Sequence, residues 1–156
     1  AGQGWFRDRV VQGRHPVPWG PVHALIVATR DPTGLAREYT RLFGWEVGGS
    51  GDPIHLVMPG GSGVNLALGQ APAVVLVSGT PRAPMDQANI VVGKAAQRRL
   101  ERYGAGVIGL AIKTPNIHEA VDALARRGAR VHEATGGRWA AVDPSDAHGM
   151  LIELIA

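Results

Sequence analysis

Apolar positions along the chain follow two spacings in turn. The segment VHALIVAT (22–29) is a near-continuous apolar run of strand length, and it leads into Asp31 and Pro32, a capping residue followed by proline at the first helical position. Leu35, Tyr39, Leu42 and Phe43 then recur at helical spacing as far as Gly44, a residue suited to the left-handed backbone that closes a helix. Strand character returns at 45–47, and IHLVM (54–58), VNLAL (64–68) and AVVLVS (73–78) are further extended candidates. The second half repeats the order. VIGLAIKT (107–114) is the strand, Asn116 is a cap with Glu119 three residues on, and Ile117, Val121 and Leu124 form the apolar stripe of a helix closed by Gly128. ARVHEA, RWAAVD and MLIELI then read as three short strands.

Each half therefore reads strand, helix, strand, strand, strand. Two copies are too few for a solenoid, and one helix with several strands per copy predicts an α+β fold of two paired units. The units span about 21–79 and 105–156, joined by a linker at about 80–104 in which GKAAQRRLERYG predicts a short helix. Residues 1–20, with Pro, Gly and two Trp and no sustained period, read as an arm packed on a single domain covering 21–156.

Composition narrows the chemistry. At 156 residues and 45% hydrophobic content the chain can bury a full core. It has no cysteine, which excludes disulfides, zinc-thiolate sites and thiol nucleophiles. No apolar run approaches the ~20 residues of a membrane span, so a soluble, cytoplasmic protein without a membrane partner is expected. The net charge of +3 comes from arginines that are scattered along the chain, with Lys94 and Lys113 the only lysines, and no nucleic-acid partner is expected. Arg98, Arg99 and Arg102 form the tightest basic cluster, near one face of a short helix. They could meet a phosphate-bearing ligand, although a solvated face is the favoured reading.

Three segments carry a resemblance to a known family: HALIVATRDPTGLAREYTRLFGWEV, RRLERYGAGVIGLAIKTPNIHEAVDALARRGARV and GGRWAAVDPSDAHGMLIELI. The chain from Pro21 to Ala156 resembles the vicinal oxygen chelate superfamily, with glyoxalase, bleomycin-resistance and extradiol-dioxygenase members. In pattern it is most similar to methylmalonyl-CoA epimerase. The resemblance implies two βαβββ units forming a cupped mixed sheet, and a divalent metal held by one residue from the first and one from the last strand of each unit. A small-molecule, carbonyl-bearing substrate and a homodimer are implied in the same way. Such a metal binds two substrate oxygens and stabilises an enolate as a Lewis acid.

Two of the four implied ligand positions carry ligand chemistry. His23 falls on the first strand, where the alternative is a histidine that only hydrogen-bonds at a strand start. Glu153 falls on the last strand, between Ile152 and Leu154, and a carboxylate there is costly to bury unless paired, protonated or metal-bound. In the second half the histidine position is read at Gly109. A ligand replaced by a residue without a side chain would leave space beside Glu153; relief of crowding against a neighbouring strand is the alternative. The remaining position depends on register. If AVVLVS is the fourth strand of the first unit, it is aliphatic, near Val75, and Asn65 falls on the acid/base position of the epimerases. If VNLAL is the fourth strand, Asn65 takes the ligand position and His55 the acid/base position. The first register is favoured by the spacing to the next unit. In either register an amide replaces a carboxylate at Asn65, and an amide is no general base near neutral pH. His118, His132 and His148 read as surface or turn residues.

Three functions follow from these residues. The first is an isomerase or lyase working by acid/base chemistry without a cofactor, in which His23 and Glu153, with Asn65 and His55 as further candidates, act on a carbonyl compound by epimerisation, isomerisation, dehydration or cyclisation. The second is a metal-dependent epimerase, lyase or dioxygenase with His23 and Glu153 as ligands. The third is a drug- or metabolite-sequestering protein with tryptophans lining its cleft.

Overall fold

The computed structural model describes residues 17–48, 53–57, 74–80 and 83–156. The first unit is β1 (Val22–Ala28), α1 (Pro32–Phe43), β2 (Glu46–Gly48), β3 (Ile54–Val57) and β4 (Val74–Val77). Helix α2 (Gln87–Tyr103) leads to the second, β5 (Gly106–Lys113), α3 (Ile117–Ala125), β6 (Val131–Glu133), β7 (Trp139–Val142) and β8 (Leu151–Ile155). VNLAL and Asn65 lie outside the described residues. The strands form one mixed sheet in the order β2-β3-β4-β1-β5-β8-β7-β6. β1 and β5 pair antiparallel at its centre, and each has the last strand of its own unit parallel on its other side. This is the α+β arrangement of two βαβββ units that the sequence pattern predicts.

The helix ends form as their residues dictate. The Asp31 side chain accepts from the Gly34 amide at 2.8 Å, and Asn116 accepts from the Glu119 amide at 3.1 Å, so each satisfies an amide that a first turn leaves open. Gly44 takes the left-handed conformation, φ 66°, after α1.

α1 covers one face of the first unit over Val27, Leu56, Val74 and Leu76, while α3 covers the same face of the second over Ala140 and Leu154. The other face belongs to α2. Ile26, Val75, Ile108, Ala141 and Leu151 join Val91, Val92 and Leu100 of that helix in the largest core cluster. α2 is longer than the short linker helix expected from GKAAQRRLERYG: it begins at Gln87, and Ala88, Val91 and Val92 of its added turns are buried. It is thus a core element bridging both units. No helix among the described residues is long and apolar enough to cross a membrane.

Asp86 anchors the start of α2. Its carboxylate accepts from the Asn89 amide at 2.9 Å and, across to the second unit, from the Thr135 amide at 2.7 Å. Burial raises its pKa, but these backbone and side-chain hydrogen bonds outweigh that and leave it below its ordinary value. Replacing Asp86 with alanine is expected to lower unfolding stability by about 1–2 kcal/mol at neutral pH. The deficit should shrink in acid, where the native carboxylate is protonated; a denaturant titration at two pH values checks both.

Candidate active site

β1 and β5 are related by symmetric pairing about Leu25 and Leu110. Ala24 faces Ala111 as Gly109 faces Ile26, and Val22 faces Ile112 as Val107 faces Val27. The pairing skips one residue on each strand, His23 on β1 and Ile108 on β5. Each is the extra residue of a β-bulge, a feature that re-aims a side chain. The bulge at Ile108 leaves its side chain in the α2-face cluster. His23, its counterpart, lies within electrostatic reach of Lys113 and His55, which belong to that face as well. Lys113 follows Ala111 at strand spacing, and His55 lies between Ile54 and Leu56, both of which pack beneath α1 on the opposite face.

Burial, Lys113 and His55, in that order, depress the His23 pKa below its ordinary 6.5, so the imidazole is neutral at physiological pH. Its Nδ1 is buried and has no hydrogen-bond partner among the described residues. Lys113→Met removes one of the cations and should raise the His23 pKa, read as an upward shift of the imidazole titration midpoint by NMR. An unchanged or lower midpoint would count against this electrostatic pairing.

Glu153 shares the α2 face. It pairs with Ala111 on β5 and Ala141 on β7, both members of the α2-face cluster, and is only 8% exposed. The row Ala24–Ala111–Glu153 crosses three strands, so His23 and Glu153 stand about 10 Å apart at the backbone, two strand spacings, on one face. The short side chains of Ala24 and Ala111 lie between them.

The same symmetry corrects the reading of Gly109. The counterpart of His23 is Ile108, one residue earlier, and that of Gly109 is Ala24. Gly109 leaves no space beside Glu153. A Cβ there would overlap the Leu151 carbonyl oxygen and come within 2.7 Å of the Leu151 Cβ, so the glycine admits the close approach of β8. The fourth described strand of the first unit is Val74–Val77, parallel to β1 as β8 is to β5, in agreement with the favoured register. Ala111 precedes Thr114 by the same interval as Ile26 precedes Thr29; Ala111 pairs with Glu153, and Ile26 with Val75. The four symmetric positions are therefore His23, Val75, Ile108 and Glu153.

That set does not fit the divalent metal the resemblance implies. Val75 and Ile108 bring hydrocarbon, 6% and 8% exposed, where imidazole or carboxylate would be needed, and the Lys113 ammonium acts on one of the two remaining donors. Among the described residues, no group of three or more His, Cys, Asp or Glu gathers to hold an ion. Of the tryptophans proposed to line a cleft, Trp19 packs beneath α3, and Trp45 stacks with Tyr39 and Phe43 at the α1 side. Trp139 packs on the α2-face cluster, and Trp5 lies outside the described residues. Lys113 was not singled out from the sequence as a site residue. The alternation Gly109, Ala111, Lys113 along β5 is the signal that puts it on the face of Glu153.

No protein-family model and no curated protein matches the sequence. Solved structures do match. Methylmalonyl-CoA epimerase from Mycobacterium tuberculosis is similar at 19% identity and a TM-score of 0.63, covering 92% of each chain. A variant of the Streptomyces coelicolor methylmalonyl-CoA epimerase, in complex with 2-nitronate-propionyl-CoA, has 21% identity and a TM-score of 0.64 over 88% of this chain and 96% of that one. A hypothetical protein from Bacillus halodurans C-125 follows at 14% identity and a TM-score of 0.58, over 86% and 92%. The two βαβββ units, paired through β1 and β5, thus have the vicinal oxygen chelate fold of the methylmalonyl-CoA epimerases.

Proposed function

We propose that the protein is an enzyme that moves a proton at the carbon next to a carbonyl group, with His23, Lys113 and Glu153 in place of a metal centre. One observation carries the reading: a histidine held neutral beside a cation shares a sheet face with a buried glutamate, separated by alanines. Neutral His23 is suited to accept the α-proton at a ring nitrogen. The C–H electron pair then forms the C=C bond of an enolate, and the Lys113 ammonium donates to the enolate oxygen, the stabilisation a Lewis acid supplies in a metal enzyme. Glu153, two strands away, is suited to return a proton to the carbon when its carboxyl is protonated. Donation from the face opposite His23 inverts the centre, an epimerisation; donation at a different carbon shifts a double bond.

The neighbouring folds named as methylmalonyl-CoA epimerases support an isomerase over a lyase and put methylmalonyl-CoA first among the compounds to assay. The test is incorporation of solvent deuterium at the α-carbon across a panel of 2-alkyl and 3-keto acyl thioesters and their free acids. One deuterium per turnover is expected for at least one member. Compounds that bind without exchange would replace this reading with that of a sequestering protein.

A further inference from the structure

We propose a second ligand site, distinct from the proton-transfer site, that takes a phosphate-bearing anion between the C-terminal half of α2, the first residues of β5 and the loop before β8. β5 pairs with β8 only from Gly109 onward, opposite Leu151, so Gly106–Ile108 have no strand partner on that side among the described residues. A cavity of about 570 Å³ opens there. It lies at the opposite end of β5 from Lys113 and His23.

Arg98, Arg99, Arg102 and His148 line it, and among the described residues no carboxylate does. Arg98 and Arg102 are one helical turn apart and exposed, and no ion pair among the described residues involves any of the three arginines. Arg99 is the most constrained. Its guanidinium lies 5.2 Å from the Tyr103 ring centre and reaches the Ala105 carbonyl at 3.5 Å, yet its Nε is buried with no hydrogen-bond partner among the described residues. A buried charged donor without an acceptor is costly. Cations at a helix C-terminus are favoured by the helix dipole alone, and Arg102 fits that account. The dipole explains neither the unsatisfied Nε of Arg99 nor a cavity whose described lining carries cations and no acid. Guanidinium forks match the geometry of phosphate oxygens, and Val107, Met150 and Pro144 give the cavity an apolar wall for an attached organic body.

Titration calorimetry with pyrophosphate and with ADP, at fixed ionic strength, tests the site. Saturable binding of pyrophosphate is expected. The double variant Arg98→Gln/Arg102→Gln, which changes exposed side chains, should weaken it about ten-fold or more, and the Arg99 Nε–H resonance should move on binding. Tighter binding of ADP assigns the site to a phosphorylated organic molecule; equal binding assigns it to the phosphate group alone. Lack of saturation, or affinity unchanged in a double variant whose melting temperature is unaltered, overturns the proposal. Glu153→Gln should leave pyrophosphate affinity unchanged, so this site and the proton-transfer site can fail independently.

Discussion

Gly109→Ala is expected to destabilise the fold by about 3 kcal/mol, well beyond the effect of an ordinary glycine-to-alanine change in a strand. The added methyl would run into the Leu151 carbonyl, a backbone atom that cannot rotate away, so β8 must separate from β5 or the central strand must bend. The strand that would move carries Glu153, two residues beyond Leu151. Gly48→Ala is the control: a Cβ at that position meets its nearest neighbour, Val57, at 3.7 Å, an ordinary contact, and stability should change by less than about 1 kcal/mol. Gly109→His should be at least as damaging as alanine and should restore no metal binding, because the counterpart of His23 is Ile108. Chemical denaturation of the three variants, with metal analysis of the last, checks this. A Gly109→Ala protein as stable as the original would mean that β5 and β8 do not approach this closely.

The fold was legible because its signals are periodic. Apolar runs, the caps Asp31 and Asn116, and the closing Gly44 repeat at strand and helix spacing in both halves, and the structure follows them to within a few residues. The helix expected from GKAAQRRLERYG begins at Gly93, whereas that residue is buried inside a continuous helix that starts at Gln87. The site was legible in part. His23 and Glu153 stood out as polar residues in apolar strands, and the structure puts both on the α2 face. The error at Gly109 was a one-residue slip in matching the two halves, because the apolar run of β5 holds no polar residue that fixes the match. Alignment on Thr29 and Thr114 carries the correction: six residues before the first is His23, and six before the second is Ile108. Lys113 was overlooked because a lysine near a strand end ordinarily reads as solvated, and only its alternation with Ala111 reveals its face.

The second large effect is on activity. Glu153→Gln and His23→Gln should each slow proton transfer by about 10²–10⁴-fold, the usual contribution of a positioned acid or base. Both replacements keep a polar side chain of similar size, so melting temperatures should stay close to that of the parent. Lys113→Met should act differently. It removes the enolate's cation and raises the His23 pKa, so the rate falls while the acid limb of its pH profile moves to higher pH.

The most direct measurement is deuterium incorporation at the α-carbon of a bound carbonyl substrate, followed by mass spectrometry in the parent, His23→Gln and Glu153→Gln proteins after exhaustive treatment with chelator. The account predicts incorporation by the chelated parent and its near-complete loss in both variants. Undiminished exchange in either variant, or exchange that chelation abolishes and a divalent metal restores, would contradict it.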